Sequence, residues 1–138
     1  QLEEYKDLLP VTIYRRCRHV ISENERVLQT VEALRRNDLA TVGQLMNASH
    51  DSLRDDFEVT NAALNAIVEC AQKEISCLGA RMTGAGFGGC AVALVAADQA
   101  EKFAESVTAC YEALSGIMPN IYICHATKGA QVVVGDSW

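Results

Sequence analysis

Residues 83–89, Thr83-Gly84-Ala85-Gly86-Phe87-Gly88-Gly89, decide the fold of this chain. Four of these seven residues are glycine. Glycine adopts positive φ angles at little steric cost and lets the backbone approach a ligand or a neighbouring loop closely. The usual ligand of such a loop is a phosphate, which backbone N–H groups bind. The stretch therefore predicts a tight loop that is either a phosphate site or a hairpin turn without a ligand.

The residues on either side of the loop test whether it is a dinucleotide-binding loop. Residues 78–83 alternate between apolar and other side chains, which predicts a strand before the loop. Residues 90–96, CAVALVA, are a short apolar run, which predicts a buried strand after it. The loop spells G-x-G-x-x-G, but a dinucleotide-binding loop must open directly into a helix. The strand–loop–strand order therefore argues against a dinucleotide site.

Two further kinds of phosphate loop are excluded by missing motifs. The glycine loop of protein kinases does lie in a hairpin, but it requires a V-A-I-K lysine on the next strand and later H-R-D and D-F-G motifs. Here the next strand reads VALVAAD, and neither later motif occurs. The sequence also lacks the G-K-[ST] of a P-loop.

The composition limits the class of the protein. Its 138 residues, 49% of them hydrophobic, are enough for one compact domain spanning residues 1–138. A net charge of −6 and scattered basic residues, apart from Arg15, Arg16 and Arg18, argue against a nucleic-acid partner. No apolar run approaches the roughly 20 residues that span a bilayer, so no membrane association is expected. Because the chain begins at Gln1 rather than Met, we expect a fragment of a longer protein.

Cysteine and histidine residues predict neither a disulfide framework nor a metal site. No two cysteines have C-x-x-C spacing and all lie in apolar patterns, so we expect reduced thiols of a cytoplasmic protein. The three histidines are far apart in the sequence, and His19 with Glu23 is expected to be a solvated pair. The six cysteines are Cys17, Cys70, Cys77, Cys90, Cys110 and Cys124.

The amino half of the chain has helical periodicity. Apolar residues recur from Ile13 to Leu34 and predict one face of a long, core-packing helix. The pair Asn37-Asp38 is expected to break the pattern and cap a second helix, and Thr60 is expected to cap a third that extends to Ile75. The three helices are therefore expected to pack through apolar stripes.

The carboxyl half alternates strands with one helix. After the hairpin, a helix is expected from Ala100 to Leu114, ended by Gly116. Residues 121–124 are predicted to be a strand, and residues 130–134 a short edge strand or tail. The predicted class is α+β, with a helical amino half packed against a mainly antiparallel sheet and one crossing helix.

Three segments together resemble a known family. Residues 79–83, GARMT, running into GAGFGGCAVALV, resemble the third, carboxyl-terminal glycine motif of the GHMP superfamily of small-molecule kinases, and Phe87 is typical of its galactokinase family. Residues 14–23 are similar to a galactokinase helix with a basic, His-containing stretch. Residues 45–60 are similar to the family segment L-M-x-x-S-H-x-S-L-R-D-D-[YF]-x-V-[ST]. The resemblance covers almost the whole chain.

The resemblance implies a ferredoxin-like carboxyl-terminal domain of a kinase that transfers the ATP γ-phosphate to the C1 hydroxyl of galactose, a step of galactose metabolism. It implies ATP and Mg²⁺, both bound mainly by an amino-terminal domain that carries the catalytic residues and is absent from this sequence. Galactose, ATP and that domain are the implied partners. No catalytic or metal-binding residue is expected in this chain, and the fragment alone is expected to be inactive. The alternatives are an N-acetylgalactosamine kinase and a non-catalytic sugar-sensing regulator.

The resemblance also implies roles for particular residues. Residues 83–89 are expected to support the phosphates of ATP, with Phe87 anchoring the hairpin in the core. Asp55 and Asp56 are expected to interact with a helix dipole rather than to form an acid–base pair. Cys90 is expected to be structural, and Phe57, Val59 and Thr60 are expected to line the active-site side of the domain.

Overall fold

The protein was analysed as a computed structural model, which describes residues 1–127 and 129. Helices dominate the amino half and a hairpin followed by a helix forms the carboxyl half, so the predicted α+β class is confirmed. The elements are a 3₁₀ turn Leu2–Tyr5, α1 Val11–Arg35, α2 Leu39–Ser52, a π-helical turn Leu53–Phe57, α3 Ala62–Lys73, β1 Cys77–Thr83, β2 Cys90–Val95, a 3₁₀ turn Ala97–Gln99 and α4 Ala100–Ser115.

The described part of the sheet is one antiparallel hairpin. β1 pairs with β2 in a register that places Thr83 opposite Cys90 and Arg81 opposite Val92. The glycine-rich loop therefore connects two directly paired residues. Residues 121–124 were predicted to be a strand but are not in strand conformation. High β propensity forms a strand only where a neighbouring strand offers a ladder, and residues 130–134 lie outside the described residues.

The second strand is less buried than its apolar sequence predicts. Val92 remains 45% exposed, and Cys90 at the start of β2 is also exposed. A cavity of about 610 Å³ lies between β2, α3, α4 and residues 117–125. The prediction of a fully buried strand is wrong because within the described residues this cavity leaves apolar β2 side chains without close neighbours.

The free edge of β1 is covered by side chains of α2. Asn47 accepts a hydrogen bond from the backbone N–H of Ala80 at 2.8 Å, and His50 Nδ1 accepts one from Met82 at 3.3 Å. Unpaired strand N–H groups would otherwise stay unsatisfied or recruit another chain. Helix α2 thus replaces a third strand along this edge.

The close approach of α2 to β1 depends on a pair of glycines. A Cβ atom on Gly43 would lie 1.9 Å from the carbonyl oxygen of Leu78. A Cβ atom on Gly79 would lie 2.1 Å from the carbonyl oxygen of Gly43. Real Cβ atoms do not tolerate such distances, so both positions require glycine for the helix to reach the strand.

The starts and ends of the helices were predicted with mixed success. Asp38 caps α2, as predicted, by accepting a hydrogen bond from the N–H of Thr41 at 3.0 Å. The cap of α3 is Asn61 rather than Thr60, since the Asn61 side chain accepts from the N–H of Leu64. Gly116 ends α4 with a φ of +70°, as predicted. Helix α3 ends at Lys73, so Ile75 lies beyond it and is fully exposed.

The apolar face of α1 is not a core face within the described residues. The buried residues of α1 are Tyr14, His19 and Ala33. The prediction of a core-packing stripe is wrong because α1 contacts α2 and the π-helical turn through a different, largely polar face. The large apolar residues of the stripe are exposed to between 42% and 69% at Val20, Ile21, Val27, Leu28, Val31 and Leu34.

The cysteines are not all reduced. Cys70 on α3 and Cys110 on α4 form a disulfide, which corrects the prediction for this pair. They lie 40 residues apart in sequence, and the packing of α3 against α4 brings them together. Free thiols are present at Cys17, Cys77, Cys90 and Cys124.

The helices of the described residues bear on membrane association. None of them combines the length and the apolar character that a membrane crossing requires.

Candidate functional site

The glycine-rich loop has the conformation that its sequence predicts. In residues 84–89, five of the six have positive φ, and Ala85 is the exception. The φ angles are +84° at Gly84, +85° at Gly86 and +58° at Phe87. Side chains with a Cβ rarely adopt such angles, which explains the glycines. The alternation of φ sign from Gly84 to Gly86 resembles the backbone nests in which successive N–H groups converge on an anion.

The loop is attached to residues 59–61 through the backbone of Phe87. Its N–H donates to the carbonyl oxygen of Val59 at 2.6 Å. Its carbonyl oxygen accepts from Asn61 Nδ2 at 2.9 Å. The Phe87 side chain is 71% exposed, so the prediction that it anchors the hairpin in the core is wrong. Hydrogen bonds on both sides of the residue hold the loop instead.

The middle of the loop lies against the backbone of Val59. A Cβ atom on Gly86 would lie 2.2 Å from the carbonyl oxygen of Val59. A Cβ atom on Gly84 would have nothing within 4 Å. The two glycines therefore have similar φ angles and different surroundings.

Two arginines of α1 hold the backbone that leads to Val59. Arg15 and Arg16 contact the Glu58 carboxylate at 2.5 and 2.6 Å, and they donate to the backbone carbonyls of Asp55 and Asp56. The hydrogen bonds from Arg16 and Arg15 lower the pKa of Glu58. These contacts stabilise the left-handed conformation of Glu58, whose φ is +59°.

A buried polar chain lies behind this turn. His19 Nδ1 is 3.0 Å from Ser52 Oγ, and Ser52 donates to the Asp56 carboxylate at 3.2 Å. Since the serine proton points to Asp56, His19 Nδ1 carries a proton and donates to Ser52 Oγ. A neutral imidazole with its proton on Nδ1 satisfies this geometry. Burial lowers the pKa of His19, which agrees with the neutral form. Arg18 forms an ion pair with Asp56.

The same histidine also supports the turn through its ring. His19 stacks on Phe57 with ring centroids 4.6 Å apart, and Arg16 lies 5.8 Å from the Phe57 centroid. Phe57 and Val59 pack against the small core cluster of Leu53, Leu64 and Met82. The residues leading to the glycine loop are thus positioned from α1, α3 and β1 together.

The strand that enters the loop is tied to α1 by an ion pair. Arg81 contacts the Glu23 carboxylate at 3.1 Å. Ser49 and Arg26 also donate to Glu23, at 2.6 and 2.8 Å. Burial raises the pKa of Glu23, and the hydrogen bonds from Ser49 and Arg26 outweigh it, so the pKa is lowered. Glu23 is therefore an ionised junction between α1, α2 and β1.

Two pairs of candidate residues have different roles from those predicted. His19 and Glu23 were expected to be a solvated pair, but each is bound within the protein to other partners. Asp55 and Asp56 were expected at a helix start, yet they lie in the π-helical turn at the end of α2. Asp56 is buried in its ion pair with Arg18, and Asp55 pairs with Arg54.

The chemistry available at the site is that of backbone dipoles. Residues 83–89 include no charged side chain, and Arg81 is already paired with Glu23. Within residues 1–127 and 129, no group of three His, Cys, Asp or Glu side chains could hold a metal ion. The loop could donate N–H groups to a phosphate, whereas neutralising its charge requires cations from elsewhere.

Known proteins match the chain across this whole arrangement. The family described as "GHMP kinases C terminal" matches residues 30–113, which include α2, α3, the hairpin and most of α4. The chain therefore belongs to the GHMP kinase family and corresponds to the carboxyl-terminal part of its members.

Individual relatives are more specific. The chain is 46% identical over 135 residues to "Galactokinase" of Clostridium acetobutylicum, an alignment that covers 96% of this chain and 34% of that protein. It is 48% identical over 120 residues to "Galactokinase" of Haemophilus influenzae, covering 86% of this chain and 31% of that protein. The chain thus spans about a third of the length of the curated relatives it matches.

Solved structures agree in fold. The structure titled "Crystal Structure of Lactococcus lactis Galactokinase Complexed with Galactose" superposes with a TM-score of 0.79 and 45% identity, covering 86% of this chain and 31% of that one. The mevalonate kinase of L. major in complex with R-mevalonate superposes with a TM-score of 0.58 and 35% identity, covering 78% of this chain and 32% of that one. The fold predicted from the family resemblance is confirmed.

The sequence predicted the loop but missed its supports. Residues 83–89 are contiguous, and the structure shows all of them at the end of the hairpin. Val59 was named as lining this side of the domain, but its bond to Phe87 was not foreseen, and Asn61 was not named at all. An Asn immediately before the periodic pattern of α3 was the available signal, since Asn is a preferred cap.

Proposed function

We propose that this chain is the carboxyl-terminal portion of a galactokinase, an enzyme that transfers the γ-phosphate of ATP to the C1 hydroxyl of galactose. Relatives named galactokinase, 46–48% identical over nearly the whole chain, are the observation that carries the proposal. The similarity to a galactokinase complexed with galactose supports galactose as the sugar. In this proposal residues 1–138 are one domain, and the catalytic residues belong to an amino-terminal domain.

The proposed role of residues 83–89 is to support the phosphates of ATP. Their positive φ angles and the attachment at Phe87 present the loop as preorganised backbone, which costs no rearrangement when charge moves in the reaction. In this proposal the amino-terminal domain holds ATP and Mg²⁺ more strongly, since residues 83–89 include no charged side chain. When bound, Mg²⁺ would neutralise phosphate charge, as phosphoryl transfer requires.

The exposed side of α1 supports docking of an amino-terminal domain. Six large apolar residues between Val20 and Leu34 are exposed on this helix. Contiguous apolar surface of this kind is typical of an interface. We assign the protein to the cytoplasm, because ATP is available there.

The test is a kinase assay on the full-length protein encoded by the same open reading frame. ATP consumption is measured with galactose and with N-acetylgalactosamine, and the 138-residue chain alone is the control. The proposal expects turnover with galactose, weak turnover with N-acetylgalactosamine and none from the isolated chain. Turnover by the isolated chain, or a preference for the acetylated sugar, would contradict it. Sugar binding without turnover would instead indicate a regulator.

A further inference from the structure

Asn61 uses both ends of its side-chain amide. Its Oδ1 accepts a hydrogen bond from the N–H of Leu64 at 2.8 Å and caps α3. Its Nδ2 donates to the carbonyl oxygen of Phe87 at 2.9 Å. Since an N–H can only donate and a carbonyl can only accept, the orientation of the amide is unambiguous. One side chain therefore connects the start of a helix to the glycine loop 26 residues away.

A cap alone does not require this side chain. Ser and Asp cap a helix about as well as Asn does, and Asp38 caps α2 in this protein. An ionised Asp, however, has no donor for the Phe87 carbonyl, and Ser has only one polar atom, which the cap holds at the Leu64 N–H. The property that distinguishes Asn61 is therefore the second hydrogen bond.

Phe87, the residue that Asn61 contacts, is the one non-glycine residue among residues 84–89 that has a positive φ. Phe87 has a left-handed φ of +58°, which is strained for a side chain with a Cβ. Its exposed ring makes little contribution to holding that conformation. The supports seen in the described residues are the N–H bond to Val59 and the carbonyl bond from Asn61. Removing the bond from Asn61 leaves Phe87 held by its N–H bond to Val59.

We propose that Asn61 is a positioning residue that sets the conformation of the glycine loop from the start of α3. This inference rests on the proposed function, in which the loop supports the ATP phosphates. In this proposal Asn61 needs no contact with the sugar or the reacting atoms. It acts through Phe87.

The test separates the cap from the second hydrogen bond. Asn61→Ser keeps a neutral cap but loses the Nδ2 donor to Phe87, and Asn61→Ala loses both the cap and this donor. Asp38→Ala removes the cap of a helix whose start does not contact the loop. The first readout is amide hydrogen exchange of residues 84–89 in the 138-residue chain, together with the melting temperature. The second is kcat and KM for ATP and for galactose in the full-length protein.

We expect Asn61→Ser to melt like the parent while the Phe87 amide, whose N–H is bonded to Val59, exchanges about tenfold faster, the value of one lost hydrogen bond. In the full-length enzyme kcat/KM for ATP should fall about tenfold, with KM for galactose unchanged. Asn61→Ala should show the same loop effect and also melt earlier. Asp38→Ala should melt earlier with unchanged loop exchange and kcat.

Two results would overturn the inference. One is unchanged exchange of the loop amides in Asn61→Ser. The other is a melting temperature that falls as far in Asn61→Ser as in Asn61→Ala, since the role would then be the cap alone. A full-length protein without kinase activity would overturn the proposed function only, because the exchange comparison decides the positioning role without it.

Discussion

The carbonyl oxygen of Val59 occupies the space that a side chain on Gly86 would need, 2.2 Å from the position of its Cβ. The glycine loop and the turn before α3 are therefore in backbone contact. Gly84 has nearly the same φ angle and open space around it. Substitutions at these two glycines therefore separate the effect of backbone strain at positive φ from the effect of displacing the Val59 carbonyl.

We predict that Gly86→Ala lowers kcat of the full-length enzyme by at least about tenfold, because displacing a loop at a phosphate site misaligns the reaction. Gly84→Ala has the same φ strain, about 1–2 kcal/mol, without the contact. Gly86→Ala should lose more stability than Gly84→Ala in a denaturant titration, because only it displaces the Val59 carbonyl, and only Gly86→Ala should lose activity per folded molecule. Equal kcat values in the two variants would show that the Val59 contact has no catalytic consequence.

Gly43→Ala should destabilise the chain although alanine is the better helix former. In an exposed helix this change would add about 1 kcal/mol of stability. Here the new Cβ meets the Leu78 carbonyl at 1.9 Å, so we expect a net loss of about 1–3 kcal/mol from forced separation of α2 and β1. Gln44→Ala, on the exposed side of the same helix, is the control and should be neutral. Urea titrations measure both, and a stabilised Gly43→Ala would refute the close packing.

Stability should fall as the pH is lowered from about 7.5 to 5. Burial lowers the pKa of both His19 and His50, so the unfolded chain takes up protons at a higher pH than the folded one. Stability contributed by these groups is present above their unfolded pKa, about 6.5, and is lost as the pH falls through the folded values. Protonating His50 would also remove the acceptor for Met82.

The pH effect is measured by urea titration at several pH values. His50→Asn should reduce the slope of stability against pH, because one of the two titrating groups is gone. Gln44→Ala changes an exposed residue without removing a titrating group and should leave the slope unchanged. A slope that is the same in all three proteins would argue against a contribution from His50.

Reduction of the Cys70–Cys110 disulfide should cost about 2–4 kcal/mol, since it releases a loop of 40 residues in the unfolded chain. Urea titrations with and without reductant measure the difference. The double variant Cys70→Ala/Cys110→Ala should not respond to reductant, whereas Cys17→Ser should respond like the parent. Thiol labelling of the denatured, unreduced protein should modify four cysteines; labelling of six would mean that the bond is absent.

Features set by neighbouring residues were the ones that the sequence predicted well. The hairpin context of residues 83–89, the Asp38 cap and the Gly116 helix end all depend on interactions within a few residues. Glycine at positive φ and an acidic cap have few alternative explanations, so the pattern was sufficient. The family resemblance then added what periodicity could not, namely the class of kinase.

Features set by distant residues were missed. The apolar stripe of α1 was assigned to the core because periodicity identifies a face but not whether a partner covers it. Likewise, the spacing of Cys70 and Cys110 gives no sign of their pairing. The second hydrogen bond of Asn61 spans 26 residues, and no local rule distinguishes it from an ordinary cap. Phe87 was misplaced because an apolar side chain is usually buried, whereas here its backbone carries the contact.

The disulfide has a topological consequence for the hairpin. Cys70 precedes β1 and Cys110 follows β2, so the glycine-rich loop lies inside a covalently closed ring. A protease that cut the backbone between Gly84 and Gly89 would leave both pieces joined through sulfur. Under oxidising conditions the nicked chain would stay one covalent molecule, heavier by the one water that hydrolysis adds, and only a reducing agent would release the carboxyl-terminal segment.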